Sequence, residues 1–281
     1  MIHIGLAGWG DHDDLYGEGN PGRDKLKVYS RHFPIVEVDS SFYAVQAETT
    51  YEKWVHDTPD DFGFIIKAYQ GMTGHSRGKI PFDDEAAMFE AFIRSIGPVQ
   101  AAGKLKTVLF QYPPWFDCTR AHVQKLREAK ERMGYIPVAL EFRHQSWFTP
   151  EMRDKTLSFM EKEGWMHSIC DEPQAGLGSV PTVLHPTVRS MTMVRMHGRN
   201  QEGWSQASVP NWRDVRYLYR YSRDELMEWK QHLERLQEKT DELCVIFNNN
   251  SGGDAAANAK QLMELLGMQP KENAPKQLDL F

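Results

Sequence analysis

The sequence is short of the features that usually assign a function quickly. Its three cysteines, Cys118, Cys170 and Cys244, are odd in number and show no CxxC spacing. That excludes a disulfide framework and a zinc ribbon, and predicts free thiols in a reducing compartment. No stretch approaches the ~18 consecutive apolar residues of a membrane span. The start MIHIGLAGWG also lacks the basic region of a secretory leader, so a cytoplasmic protein without membrane association is expected. HxH, HxxxH and HExxH spacings are absent, as is a glycine-rich nucleotide loop. Positive charge is not in excess either: 33 Lys and Arg stand against 39 Asp and Glu, a net charge of −6. A generic nucleic-acid coat is thereby excluded, while a locally basic groove is not.

What is present is a repeating pattern. Eight short runs rich in Val, Ile and Phe occupy 2–9, 35–43, 62–69, 106–113, 137–144, 165–172, 190–198 and 243–250. Each has the length of a buried parallel strand. Amphipathic stretches lie between most of them. In 83–96, Met88, Phe89, Phe92, Ile93 and Ile96 keep helical spacing; 119–134 runs from a Thr119 cap to Gly134. The stretch 222–239 opens on a Ser222/Glu225 capping box and aligns Leu226, Trp229, Leu233 and Leu236 on one face. A last helix spans 254–267, with Asp254 expected as its cap. Eight βα units in 281 residues predict an α/β protein, a (β/α)8 TIM barrel. The Gly- and Pro-rich 173–186 replaces the helix after strand six. The barrel is expected over 1–267, and 268–281 reads as a flexible C-terminal tail, a tether ending in a docking peptide.

In such a barrel the carboxyl ends of the strands face the functional site. That rim is unusually polar: Trp9; Asp39, Ser40, Ser41, Phe42 and Tyr43; Lys67; Gln111 and Tyr112; Glu141, Arg143 and His144; Asp171 and Glu172; Arg195 and His197; Asn248, Asn249 and Asn250. The segments LEFRHQSWF, VRMHGRN with YLYRYSRDEL, and VIFNNNSGGDAAANA, together with VEVDSSFY and FQYPP, resemble the DUF72 (YecE-like) family of bacterial barrels over roughly residues 2–267. The resemblance implies a TIM barrel and brings no established activity, since a fold does not fix a function.

The residues themselves suggest an anion site. Glu141 or Asp171 reads as a general base and His197 as its acid–base partner. Trp9, Asp39, Tyr43, Lys67, Gln111, Arg143, Arg195, Asn248 and Asn249 read as substrate-binding groups. The bland alternative is a buried ion-pair network that fills the mouth. No cofactor is expected; a divalent metal on Glu141 and Asp171 with His75, His144 or His197 is the sharper, less favoured reading, because arginines nearby repel a cation. Lys67 as a Schiff-base lysine is a further alternative. Gly252 and Gly253 before the last helix offer a phosphate cradle of the kind other barrels use.

Two further features bear on partners. Arg189, Arg195, Arg199, Arg213, Arg216, Arg220 and Arg223 face only Glu202 and Asp214 within that span, interleaved with Trp204, Trp212, Tyr217, Tyr219 and Tyr221. Arg199, Trp204, Arg213, Arg216 and Arg220 are therefore candidates for nucleic-acid binding. At the C-terminus QLDLF, comprising Gln277, Leu278, Asp279, Leu280 and Phe281, resembles the pentapeptide by which many bacterial replication and repair proteins dock on the DNA polymerase sliding clamp. Burial of three apolar side chains at about 1.5–3 kcal/mol each, less the ordering of the peptide, gives an affinity of roughly micromolar. The leading expectation is a clamp-recruited barrel, a hydrolase of phosphate-containing substrates among the options, acting on or binding nucleic acid or a nucleotide-derived ligand. A metabolic enzyme on a small anion such as a sugar phosphate, and a non-catalytic DNA and clamp adaptor, are the alternatives.

Overall fold

Eight strands pair in parallel and in sequence order, and β8 closes back on β1. They are β1 Ile2–Ala7, β2 Ile35–Val38, β3 Gly63–Lys67, β4 Leu105–Gln111, β5 Val138–Glu141, β6 Met166–Asp171, β7 Met191–Met196 and β8 Glu242–Phe247. This computed structural model describes residues 1–16, 22–76, 78–205 and 215–268, apart from the side chains of Arg23 and Ser205. Residues 269–281 of the tail, with the QLDLF peptide, and Trp212 and Arg213 lie outside the described residues.

The helices form where the apolar spacing places them. Over Glu85–Ser95 the spaced residues Met88, Phe89 and Phe92 are buried against the barrel, as is Ile96 just beyond. The Arg120–Met133 helix is capped by Thr119, whose hydroxyl accepts from the His122 amide, and it stops at Gly134 with φ 57°. The Arg223–Gln237 helix carries the full Ser222/Glu225 capping box and buries Leu226, Trp229, Leu233 and Leu236. Between β6 and β7 the described chain has only the 3-10 turn Gly176–Gly178, in place of a helix.

Two local expectations are corrected. The 35–43 run is not one strand: it stops at Val38, and Ser40–Tyr43 turns into a short helix. Short polar side chains bond their own backbone there, the Ser41 hydroxyl donating to the Val38 and Lys67 carbonyls at 2.9 and 2.7 Å. The final helix, Asp254–Leu265, is entered through Gly253 in a left-handed conformation (φ 79°), and Asp254 does not cap it but sits at its first position.

The barrel interior is filled in layers. At the amino-terminal end Glu242 accepts from Lys106 (2.5 Å) and meets His3 (3.0 Å), so its carboxyl is held down at about 2 by those partners. Above this plug lies an apolar layer that includes Ile35, Ile65, Leu109, Ala139, Met193 and Ile246. Gly5 makes room for it, because a Cβ there would stand 2.2 Å from the Ile35 carbonyl oxygen. The next layer towards the carboxyl ends is charged.

Candidate ligand site at the barrel mouth

The charged layer follows from strand alternation. Glu37, Glu141 and Arg195 stand two residues beyond Ile35, Ala139 and Met193, on the same inward faces. Arg195 grips Glu37 through Nε (2.8 Å) and Nη2 (2.5 Å), and with Nη1 donates to both Glu141 oxygens at 3.0 and 2.8 Å. Arg143 continues the chain. Its Nη2 lies 2.6 Å from Glu141 and its Nη1 donates to Glu172, whose other oxygen accepts from the Val180 amide at 2.7 Å. Carboxylates and guanidiniums thus alternate from β2 through β7 and β5 to the loop after β6. All are within 4% of complete burial.

Environment separates the three acids. Although burial opposes it, the Arg143 and Arg195 charges hold Glu141 well below the usual carboxylate range. Burial dominates at Glu37 and Glu172 and pushes each up to about 7, against the pull of the guanidiniums. His197 is kept neutral by burial and the two arginines. Its Nε2 faces Arg143 at 2.9 Å and must accept, so the proton belongs on Nδ1. The Asn248 Nδ2 stands 3.0 Å from that Nδ1, so a hydrogen bond between them requires the amide to be turned with its oxygen towards the proton.

Above this layer the rim side chains Lys67 and Asp39 are partly exposed. Lys67 reaches the mouth from the end of β3, 3.5 Å from Asp39 and 4.9 Å from the centre of the Phe42 ring. His75, in the loop after β3, packs edge-on against Phe42 and Trp115 and shares a 2.8 Å hydrogen bond with Thr73. Burial and the nearby Lys67 and Arg143 charges lower its pKa to about 4. Gln111 and Trp9 are half-buried at the rim, Trp9 against Trp54, and Tyr43 is exposed. Trp204 closes the other side: it is 5% exposed, lies over Arg143, and has Arg216 stacked 3.7 Å from its ring centre.

Not every predicted site residue joins the mouth. Asp171 follows the inward Cys170 on β6 and faces the helices, where both its oxygens accept from Arg199 Nε at 3.0 Å. Asn249 is buried behind β8, donating to the Tyr219 carbonyl and to Asn258. Arg199 is paired with Asp171, Glu225 and Glu228, and Arg220 lies 3.8 Å from Asp254. Arg189 bonds Asp241, just ahead of β8, at the opposite end of the barrel. The described arginines of this stretch therefore do not form one basic face. Conversely, Glu37 belongs to the site without having been singled out; an acid flanked by Val36 and Val38 in a fully buried strand was its signal.

Glu141, Cys170 and His197 bring potential metal-ligand atoms within 4.8 Å of one another. The donor set does not suit a cation, because Glu141 and His197 Nε2 already face guanidinium groups. His144 is turned towards Ser146, its Nδ1 2.7 Å from that hydroxyl. All three cysteines are free thiols, and no helix among the described residues is long and apolar enough to cross a membrane.

Comparison with known proteins gives a consistent answer. A family model described as "Protein of unknown function DUF72" matches residues 3–279. The chain is 57% identical to the UPF0759 protein YunF of Bacillus subtilis, over 100% of both proteins. It is 26% identical to the UPF0759 protein YecE of Escherichia coli over 56% of this chain and 54% of that one. A crystal structure of a DUF72 family protein from Enterococcus faecalis V583 aligns with a TM-score of 0.93 at 34% identity, over 99% of this chain and 100% of its own. One from Thermotoga maritima MSB8 aligns at 0.79 and 30% identity, over 95% and 99%.

Proposed function

The chain belongs to the DUF72 family, and we propose that its barrel mouth binds a small phosphate-bearing, nucleotide-derived ligand, with His75 as the group that exchanges a proton with it. The observation that carries this reading is that His75 and Lys67 both stand against the Phe42 ring, at 5.0 and 4.9 Å from its centre, at the rim above a buried charge layer. Burial first, and then the Lys67 and Arg143 charges, keep His75 unprotonated, and those two charges add a local field that favours an anion. The aromatic surroundings, Trp9, Phe42, Tyr43 and Trp115, supply flat apolar surface beside that field. Glu141 and His197 are less suited to acid–base work. The first is locked between two guanidiniums, and the second is fully buried. A ligand at the mouth is preferred to a nucleic-acid groove along the loop after β7, because Arg199 is turned to the helix side with Asp171 and Arg189 lies at the opposite end of the barrel.

A dianion entering the mouth offsets the Lys67 and Arg143 charges, so His75 should take up a proton as the ligand binds. Calorimetry with adenosine monophosphate and inorganic phosphate, run in buffers of different ionisation enthalpy, reads that uptake directly. Lys67→Met should weaken binding at least tenfold, about 1.4 kcal/mol. His75→Asn should retain most affinity and lose the proton uptake. Absence of binding at millimolar ligand, or affinity indifferent to Lys67→Met, overturns the reading.

The C-terminal sequence favours a second element of function: recruitment of the barrel to the DNA polymerase sliding clamp through Gln277–Phe281. The full chain should bind a purified clamp at roughly micromolar affinity. Equal binding by a chain ending at residue 276 sinks that element and leaves the mouth reading intact.

A further inference from the structure

A cavity of about 230 Å³ lies outside the barrel wall, between the Glu85–Ser95 and Arg120–Met133 helices and the loops after β3 and β4. At a liquid-water share of about 30 Å³ each, it has room for about eight waters, or for one organic molecule of about a dozen non-hydrogen atoms. Its floor is apolar: Met88 and Phe89 come from one helix, and Phe116 adds the edge of a ring whose faces are stacked on Tyr112 and His122, each with ring centres 4.1 Å apart. That floor is packed too tightly to collapse, since a Cβ on Gly71 would meet the Met88 sulfur at 2.6 Å.

Tyr112 makes this more than an apolar gap. The residue is 3% exposed, it lines the cavity, and its hydroxyl has no protein partner among the described residues. Burial and the Glu85 carboxylate raise its pKa, so it stays a neutral hydrogen-bonding group. A deeply placed hydroxyl of this kind calls for a polar group on whatever fills the cavity. The rim adds charge of both signs. Lys125 and Glu128 share one face of their helix, three residues apart. Lys125 makes no ion pair among the described residues, while Glu128 accepts from Gln124 at 3.1 Å. Across from them, Arg132 and Glu85 are paired at 3.6 Å.

From an apolar floor edged by aromatic rings, a hydroxyl that opens into the cavity and an adjacent cation and anion at the rim, we infer that this cavity is a second ligand site, built for a small aromatic zwitterion of the amino-acid type with a polar group on its ring. The ring lies against Met88 and the edges of Phe89 and Phe116 with its polar substituent at Tyr112, the carboxylate meets Lys125, and the ammonium meets Glu128. The site is separate from the mouth but shares a wall with it: Thr73 and Trp115 line the cavity and both touch His75.

The test is calorimetric titration of the full chain with L-tyrosine, L-phenylalanine, tyramine and 3-(4-hydroxyphenyl)propionate. L-Tyrosine should bind in the submillimolar range, each of the other three at least fivefold more weakly. Tyr112→Phe should weaken L-tyrosine about fivefold and abolish its advantage over L-phenylalanine. Lys125→Met, on an exposed position that does not threaten folding, should remove the advantage over tyramine. Lys67→Met should leave all four affinities unchanged. No binding at 2 mM, roughly the upper end of practical L-tyrosine concentration, overturns the inference, as does indifference to both cavity substitutions. If Lys67→Met abolishes binding, the probe is sitting in the mouth and the inference also fails.

Discussion

Two layers inside this barrel are built by the same strands, two residues apart. In the lower one Ile35, Ala139 and Met193 pack with Ile65, Leu109 and Ile246; in the upper one Glu37, Glu141 and Arg195 occupy the next inward positions and are as completely buried. The lower layer shows that the fold closes around hydrocarbon alone. The upper layer pays a desolvation penalty that buried ion pairs do not reliably recover. Its presence at the carboxyl end, where barrel sites lie, is what the proposed binding role would account for.

The largest expected effect comes from breaking the upper layer at its centre. Arg195→Met leaves Glu37 and Glu141 short of their shared partner and should lower unfolding free energy by about 3–5 kcal/mol, measured by chemical denaturation. Truncation in the lower layer, Met193→Ala, should fall in a similar range of about 2–5 kcal/mol, through cavity formation instead. The double variant Glu37→Leu with Arg195→Met distinguishes the two causes. It removes one charge of each sign, keeps the Glu141–Arg143 pair, and should be more stable than Arg195→Met alone. If the single variant is as stable as the parent chain, the two layers do not differ in the way claimed.

A smaller effect sharpens the same contrast through pH. Glu37 and Glu172, raised to about 7, lose their negative charge as pH falls through that value, whereas Glu141 stays ionised between Arg143 and Arg195. The mouth thus grows more positive on mild acidification. Sulfate, whose charge is constant there, should bind about tenfold more tightly at pH 5.5 than at pH 7.5; that is the scale of one charge ~10 Å away in an effective dielectric of about 20. Stability should change less. The stabilising protonation of Glu37 and Glu172 is present at low pH and lost as pH rises through about 7. Against it, His75 and His167, lowered to about 4, contribute stability that is present above the ordinary histidine range and lost as pH falls towards 4. The two trends oppose each other between pH 5.5 and 7.5. Sulfate affinity flat across that range would remove the charged layer from the binding site.

The contrast also explains what was legible beforehand. Apolar runs of strand length, separated by helices with clear caps, were enough for the barrel, because parallel strands are buried on both faces. That same double burial hides which face a residue takes. Glu141, Arg143, Arg195 and His197 were readable as a set because two strands each carry polar groups at i and i+2. Asp171 looked equivalent but stands one residue off the inward Cys170, and Asn249 one residue off Asn248. Parity of one position moved both to the helix side. Glu37 escaped notice because it is embedded between valines, where alternation had nothing polar to align. The sequence pattern overextends strand two, because Asp39, Ser40 and Ser41 continue an apolar-flanked run while their side chains favour a turn.

The smallest expected effect concerns the arginine that resembles Arg195 in sequence and differs from it in place. Arg199 lies four residues further on, 30% exposed, and serves Asp171, Glu225 and Glu228 on the outer face. Arg199→Ala deprives the buried Asp171 of its partner, yet Asp171 has an escape that Glu141 lacks. Burial already raises its pKa, and without the opposing guanidinium the carboxyl can fold protonated. The loss should therefore be about 1 kcal/mol near pH 5 and larger near pH 8. A folded-state pKa raised further above the unfolded one contributes stability that is present at low pH and lost as pH rises. Denaturation of this variant at the two pH values reads the difference. A loss as large as that of Arg195→Met and independent of pH would mean that the outer pair is held as rigidly charged as the inner layer, and that the barrel wall does not separate two kinds of ion pair.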